Sequence, residues 1–336
     1  EAGRFAFLVR AAAHRPMGEY AMSEGSLLKD YGATWIKGWD RFWFSAADPA
    51  ILGLMRILAG AIIFYTHLAW GRELSTFFGN QAMIPGDYRA QLVNGTSYMW
   101  SHFDWLPNDA WLWPVHILAL AIMLSFTVGL WTRATGILTA LFVISYANRA
   151  TGAQFGLDQI NGFLALYLGF GPSGQFLSID QLIRRRRARK SGRNTHDDRW
   201  GEPSVGANIS IRMIQVHLCV VYLFAGLGKL QGDSWWTGLA IWGAVANLEY
   251  QTLDMTWLAG HLALVNLLTF STLAWEVCYP FLVWHRLTRP IMVGAAILVH
   301  LGIGIGMGML TFGMIMVVAN LSFVPSQWVR RWVPFK

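Results

Sequence analysis

The sequence predicts an all-α, polytopic integral membrane protein, in which a bundle of about eight transmembrane helices follows an amphipathic helix at the membrane surface. Of the 336 residues, 54% are hydrophobic and 13% are charged, whereas soluble domains carry about 25% charged residues. The 18 Trp residues suit membrane–water interfaces, where the indole ring lies in lipid and its N–H stays hydrated. This composition argues against an ordinary soluble domain.

The N-terminal region is predicted to form an extension and an interfacial helix. Residues 1–16 hold only a short apolar patch and lack the hydrophobic core of a signal peptide, and Met17 or Met22 is an alternative start. Over residues 27–44, apolar and aromatic side chains recur on one helical face, which is typical of a helix lying on a membrane. The Asp-Pro pair at 48–49 then predicts the first span, with Asp as the cap and Pro in the first turn.

Runs of about 20 apolar residues predict the membrane spans. In chain order they are residues 50–70, 112–131, 134–148, 157–177, 209–230, 257–284, 291–307 and 308–324. The glycine-rich stretch GIGIGMGM between the last two favours either a tight turn or one broken, re-entrant element. The domain boundaries are therefore 1–47 for the extension and interfacial helix, 48–325 for the transmembrane domain and 326–336 for a cytoplasmic tail.

The distribution of Lys and Arg predicts the orientation. The segment between the fourth and fifth spans is arginine-rich, which places it in the cytoplasm by the positive-inside rule. Its basic residues are Arg184, Arg185, Arg186, Arg187, Arg189, Lys190, Arg193 and Arg199. Because successive spans cross the membrane in alternating directions, both termini are then predicted to lie in the cytoplasm. The protein is expected in the inner (cytoplasmic) membrane of the cell. The net charge of +7 is expected to face anionic membrane lipids, and nucleic-acid binding is the less favoured alternative.

Two ionisable side chains inside predicted spans are candidate functional groups. Lys229 lies near the outer end of the fifth span, in AGLGKLQGDSWWTG, where a desolvated neutral amine would act as a general base. The alternative is a structural lysine whose ammonium group snorkels to the lipid headgroups. His300 in the seventh span lies at a similar depth, since the rise of about 1.5 Å per residue puts the two roughly 25 and 21 Å from the inner ends of their helices. We therefore expect Lys229 and His300 to meet, although His300 bonded to a carbonyl is the structural alternative.

Other polar residues support weaker hypotheses. Arg56 and Glu276 have opposite charges and similar depths, which predicts a buried ion pair. Histidines in or beside the spans raise the possibility of haem ligation, but no repeated spacing supports it. The sequence predicts no metal site. Its two cysteines form no CxxC pair, which argues against a thiol-based quinone reductase.

Three stretches of the sequence stand out together: DPAILGLMRILAGAIIFY, GPSGQFLSIDQL, and FAGLGKLQGDSWWTG followed by LVHLGIGIGMGMLTFGMIM. Together they resemble the horizontally transferred transmembrane domain family, whose best-known member is the vitamin K-dependent gamma-glutamyl carboxylase. The resemblance extends over residues 48–325. It implies that Lys229 matches the lysine that takes part in deprotonating reduced vitamin K, and that His300 matches a histidine of a later span.

The resemblance also implies the ligands. A reduced quinone, of the vitamin K or menaquinol type, is expected with O2 and CO2 as co-substrates. Trp235 and Trp236 are expected to line the pocket that holds the quinone ring. Gly226 and Gly228 are expected to let the backbone of other segments come close. The family has a further histidine where this chain reads FGLDQING, so Asp158 is a candidate proton acceptor there.

The resemblance leaves alternative functions open. The first is a membrane enzyme that couples quinol oxidation (epoxidation) to proton abstraction from, or carboxylation of, a peptide or small molecule. Because the large luminal domain of the carboxylase has no counterpart before the chain ends at Lys336, peptide carboxylation is expected to need a partner subunit. The alternative is a non-catalytic membrane subunit for maturation of a secreted peptide toxin. A transporter with a broken-helix site has the weakest support.

Overall fold

The structure is a computed structural model that describes residues 24–92, 99–192 and 201–332. The predictions on residues 1–23, together with Arg193 and Arg199, lie outside the described residues. Within the described ranges, all regular structure is helical, and the β-type pairing is an isolated bridge between Ala47 and Ser204. The predicted all-α class is therefore confirmed.

The α-helices of the described residues follow the predicted order. They are α1 Glu24–Phe44, α2 Ala50–Trp70, α3 Leu74–Phe78, α4 Gly86–Leu92, α5 Leu112–Val128, α6 Thr132–Arg149, α7 Gly156–Phe170, α8 Ile179–Lys190, α9 Val205–Lys229, α10 Asp233–Trp236, α11 Ala240–Val245, α12 Leu262–Leu282, α13 Arg289–Gly306, α14 Leu310–Asn320 and α15 Ser326–Trp332. Short 3₁₀ segments join them at Gly71–Glu73, His102–Trp105, Asp109–Trp111, Ser173–Gln175, Thr256–Gly260 and Leu321–Phe323.

Five helices of the described residues are long and apolar enough to cross a membrane. They are Ala50–Phe78, Asp109–Val128, Val205–Lys229, Leu262–Leu282 and Arg289–Gly306. The other predicted spans correspond to α6, α7 and α14, which are shorter or less apolar. The second span ends early, because Gly129 adopts a left-handed φ of 76° and closes α5. The predicted glycine-rich turn is shorter than expected, since α13 continues to Gly306.

The unit that begins at Ala46 is a bundle of helices. α14 packs against α2, α7, α9 and α13, while α9 also packs against α12. Large apolar side chains such as Ile117, Phe224 and Leu298 are more than half exposed on the outside of this bundle. An apolar surface of this extent is costly in water and favourable in lipid, which supports a membrane protein.

The separate helix α1 begins three residues before the predicted interfacial helix and ends at the same residue. Its Tyr31, Trp35 and Trp39 side chains are more than half exposed. The Trp35 indole donates a hydrogen bond to the Tyr31 hydroxyl at 3.1 Å, as expected for residues four apart on a helix. Residues 24–44 are therefore helical, and the placement of this helix on a membrane surface stays a prediction.

The start of α2 is held by Asp48. Its Oδ1 accepts the backbone N–H of Ala50 at 2.9 Å, so Asp48 caps the helix as predicted. The same carboxylate accepts two hydrogen bonds from the Arg330 guanidinium, at 2.5 and 2.9 Å, and this contact raises the pKa of Arg330. The predicted tail therefore contains a helix, α15, that is attached to the beginning of α2.

The predicted ion pair between Arg56 and Glu276 is wrong. Arg56 is fully buried, and its guanidinium donates to backbone carbonyls of Thr127, Ser173, Phe176 and Leu177. Three of these acceptors belong to the stretch GPSGQFLSIDQL, which wraps around the arginine. The prediction failed because equal depth in the membrane does not determine the direction in which a side chain leaves its helix.

Candidate functional site

Lys229, the last residue of α9, forms an ion pair with Glu276 of α12. Its Nζ lies 2.6 Å from Oε2 and 2.9 Å from Oε1 of the carboxylate. The Glu276 side chain is 9% exposed and that of Lys229 is 26% exposed. The sequence predicted Arg56 as the partner of Glu276, whereas the structure pairs Glu276 with Lys229. The Lys229 side chain lies at the border between the bundle and its surroundings.

Gly226 allows this pairing by bringing α9 close to α12. A Cβ at Gly226 would lie 3.0 Å from Val277 Cγ2 and 3.3 Å from Glu276 Cβ, so a larger side chain would push the helices apart. Gly228, in contrast, faces open space. The structure gives Gly226 a packing contact, whereas the role of both glycines at a ligand stays a prediction.

Two tryptophans follow Lys229, but only one faces its amine. The Trp235 ring centroid lies 5.3 Å from Lys229 Nζ, which is a cation–π distance. The Trp236 side chain is 62% exposed. Its indole N–H donates to the Leu230 carbonyl at 2.8 Å and so satisfies an acceptor at the end of α9. Trp235 therefore contributes to the site directly, while Trp236 shapes the turn.

His300 lies in a hydrogen-bonded network in the interior of the bundle. Its Nε2 lies 2.8 Å from the Tyr222 hydroxyl, which accepts a hydrogen bond from Asn320 Nδ2 at 2.9 Å. The Tyr279 hydroxyl donates to Asn320 Oδ1 at 2.6 Å. Gly313 of α14 lies directly against the His300 backbone carbonyl, where a Cβ would clash, so α13 and α14 hold the imidazole in place.

This network favours one protonation pattern of a neutral His300, in which Nε2 accepts and Nδ1 carries the proton. Asn320 donates to the Tyr222 oxygen, so the single phenolic proton of Tyr222 is available for His300 Nε2. A neutral imidazole that accepts at Nε2 carries its own proton on Nδ1. Among the described residues, no side chain or backbone group accepts a hydrogen bond from this buried Nδ1. His300 therefore has one N–H group available for a ligand atom.

Asp158 lies in a different part of the bundle. Its carboxylate accepts the Phe155 backbone N–H at 3.1 Å at the start of α7 and lines a cavity of about 850 Å³ bounded by α2, α7 and α14. The Phe312 ring centroid lies 5.7 Å from that of His300 and 6.5 Å from that of Phe155. Phe312 therefore separates the His300 network from this cavity, and Asp158 does not share a site with Lys229.

A second buried cluster surrounds Tyr146. Its hydroxyl lies 2.7 Å from His116 Nδ1, and its ring packs edge-on against His67 at 4.9 Å. Tyr146 therefore contacts His67 and His116, two of the four histidines (with His217 and His261) that the haem hypothesis considered. The part of the chain that the structure describes has no group of three His, Cys, Asp or Glu residues placed to hold a metal ion.

Sequence reasoning missed Glu276 as the partner of Lys229, and it missed Tyr222, Tyr279 and Asn320 altogether. A signal was present, since Tyr222 precedes Lys229 by seven residues and Tyr279 follows Glu276 by three, spacings that share a helix face.

The fold and the site define a class of molecule, a helical membrane protein with a buried polar network beside an ion pair. No family of known proteins, no curated protein and no solved structure matches this chain.

Proposed function

We propose that this chain is a membrane-embedded enzyme of the carboxylase type, which takes a proton from a bound reduced quinone. In this proposal α2, α5, α6, α7, α9, α12, α13 and α14 all span the inner membrane, α1 lies on the membrane surface, and both termini face the cytoplasm. The resemblance of the three sequence stretches to the horizontally transferred transmembrane domain family motivates the reaction type. The ion pair and the buried imidazole provide groups suited to it.

The observation that carries the proposal is the available N–H of His300. A buried donor without a partner costs about 1–3 kcal/mol, so its retention favours a ligand that accepts its hydrogen bond. A quinol oxygen that loses its proton becomes such an acceptor. Hydrogen-bond donors aimed at developing negative charge stabilise the transition state of proton removal.

The ion pair supplies the proton acceptor. Because Lys229 is already paired with Glu276, the geometry favours a shared role in which the carboxylate takes up the proton and the ammonium stabilises the anion left on the ring. Trp235 presents an indole face beside the amine, which suits an aromatic ring. These residues offer a hydroquinone a hydrogen-bond donor, a proton acceptor and an aromatic face.

The quinol, when bound, would supply an acidic hydroxyl and, with O2, the strong base that substrate carboxylation by CO2 requires. The substrate is a peptide or small molecule. A partner subunit for peptide substrates remains part of the proposal.

The experiment is quinol turnover in proteoliposomes, with a naphthoquinol as the probe and mass spectrometry of the oxidised product as the readout. Lys229→Ala and Glu276→Gln are expected to lose activity by about 10²–10⁴-fold, the usual effect of removing acid–base groups. Phe224→Leu changes a side chain on the outer face of the same helix and is expected to retain activity. Unchanged turnover in Lys229→Ala would remove the mechanism. A co-purifying small protein, with no quinone in the extracted lipids, would instead favour the toxin-maturation subunit.

A further inference from the structure

A large cavity on the side of the bundle has no part in the proposed reaction. It has a volume of about 850 Å³ and is bounded by α2, α7 and α14. Three of its lining side chains, those of Tyr65, Leu310 and Met314, are 45–59% exposed. The cavity is therefore open towards the surroundings of the bundle, which are lipid in the proposed placement of these helices.

This cavity is a groove with a long apolar part and a charged end. Along α2 its lining extends from Leu58 to Trp70, about 18 Å at a rise of about 1.5 Å per residue. One leaflet of the hydrocarbon core is similar, about 15 Å thick. Where α2 ends and α7 and α14 begin, the lining includes the carboxylates of Glu73 and Asp158. An apolar groove with a few polar groups at one end suits an amphiphile.

The two carboxylates have no cationic partner in the part of the chain that the structure describes, since no side-chain nitrogen of Lys, Arg or His lies within 4 Å of either. Each makes a local hydrogen bond instead. Glu73 Oε2 accepts from the Thr76 hydroxyl at 2.9 Å, and Asp158 Oδ2 accepts the Phe155 N–H at 3.1 Å. Two negative charges at the end of an apolar groove attract a cation, and an ammonium group binds carboxylates more strongly than a neutral donor does.

We infer that this groove binds a phospholipid with a primary ammonium head, of the phosphatidylethanolamine type. The ammonium pairs with Glu73 and Asp158, and one acyl chain lies along α2 towards Leu58. The Thr311 hydroxyl, in the first turn of α14 at the same end of the groove, donates to the headgroup phosphate. The inference goes beyond the proposed reaction and uses only the proposed placement of α2, α7 and α14 across the membrane.

A purely structural role of the two carboxylates is the competing explanation, in which Asp158 caps α7 and Glu73 holds Thr76. An amide oxygen accepts the same hydrogen bonds, so Asp158→Asn and Glu73→Gln keep these local contacts and remove only the charge. The variants therefore separate the two explanations, because the choice of lipid changes only if the charges recognise the head.

The test is competition between two lipids with identical acyl chains, phosphatidylethanolamine and phosphatidylcholine, for the purified full-length chain in detergent micelles. Native mass spectrometry counts the lipids that stay bound, and no quinol is present. Wild type is expected to retain phosphatidylethanolamine about tenfold better, because the quaternary ammonium of phosphatidylcholine donates no hydrogen bond. The double variant Asp158→Asn/Glu73→Gln is expected to bring this ratio close to one. Glu249→Gln removes the charge of an exposed acid outside the groove and is expected to keep the wild-type ratio.

Ala61→Phe gives an independent disruption that leaves the charges in place. Ala61 lines the apolar part of the groove and is exposed, so the larger ring is expected to exclude the acyl chain and lower the amount of bound phosphatidylethanolamine. Equal retention of both lipids by wild type, an unchanged ratio in the double variant, an equal loss in Glu249→Gln or full retention in Ala61→Phe would each overturn the inference. Because the lipids are counted without quinol, these outcomes leave the quinol reaction standing, and absent quinol turnover leaves the lipid site standing.

Discussion

Removal of either partner of the Lys229–Glu276 pair is expected to destabilise the protein unequally. Lys229→Met leaves a carboxylate that is only 9% exposed without its cation. Glu276→Gln leaves an ammonium that is 26% exposed and that is long enough to snorkel towards the headgroups. The lysine variant should therefore be the less stable of the two.

The magnitudes follow from burial. An unpaired buried charge costs about 3–5 kcal/mol, and we take about 3 kcal/mol for Lys229→Met because the site is at the end of a helix. The partly exposed ammonium left by Glu276→Gln should cost about 1 kcal/mol. The double variant Lys229→Met/Glu276→Gln leaves no charge behind, so its cost should also be about 1 kcal/mol, well below the sum of the single losses.

The assay is reversible unfolding of the purified protein in detergent micelles, from which the free energy of unfolding is obtained for all four forms. Phe224→Leu on the outer face of α9 is the control and should unfold like wild type. Strictly additive losses would show that the two charges do not interact. A Glu276 variant less stable than the Lys229 variant would refute the argument from burial.

Three further predictions concern other parts of the bundle. Arg56→Met should lower the free energy of unfolding by about 3 kcal/mol or more, because the backbone carbonyls that accept hydrogen bonds from Arg56 lose their donor. Thermal melts should show that this loss adds to the loss caused by Glu276→Leu. Coupling between the two losses would contradict the conclusion that Arg56 and Glu276 lie in separate sites. Gly226→Leu should lower the free energy of unfolding by roughly 2 kcal/mol, because the larger side chain overpacks against α12. Gly228→Leu should be tolerated, because that position faces open space. Equal losses of stability in melting experiments would contradict the packing argument. Burial lowers the pKa of His102 to about 4, so the fold keeps it neutral while the unfolded chain protonates it below about pH 6.5. The contribution of His102 to stability should therefore be constant above that pH and should fall by about 1.4 kcal/mol per pH unit between pH 6.5 and 4. A His102→Gln variant whose stability has the same pH slope as wild type in melting experiments would refute this.

The positions of the long helices could be predicted from the sequence because apolar length and the Asp48-Pro49 start are local signals. The first span was predicted at its observed bounds, Ala50–Trp70. The spans with wrong ends stop where a turn intervenes, as at Gly129 with its positive φ. Hydropathy is averaged over many residues, so a turn made by one residue barely changes it. The predicted span therefore extends beyond the residue at which the helix ends.

Side-chain partners could not be predicted in the same way. Depth along the helices predicted similar levels for Lys229 and His300 and placed Glu276 with Arg56, but the rotation of each helix also determines which side chains meet. Glu276 was consequently assigned to Arg56, which instead faces the carbonyls of a loop. The packing at Gly226 brings the true pair together, and only tertiary structure reveals that contact.

The most direct test of the central claim is photoaffinity labelling with an azido-naphthoquinone, reduced in place and followed by peptide mass spectrometry. A quinol bound beside Lys229 should place label on the segments that carry Trp235 and His300, and Lys229→Ala should lose that label. Label confined to the cavity around Asp158, or unaffected by Lys229→Ala, would contradict a quinol site at the Lys229–Glu276 pair.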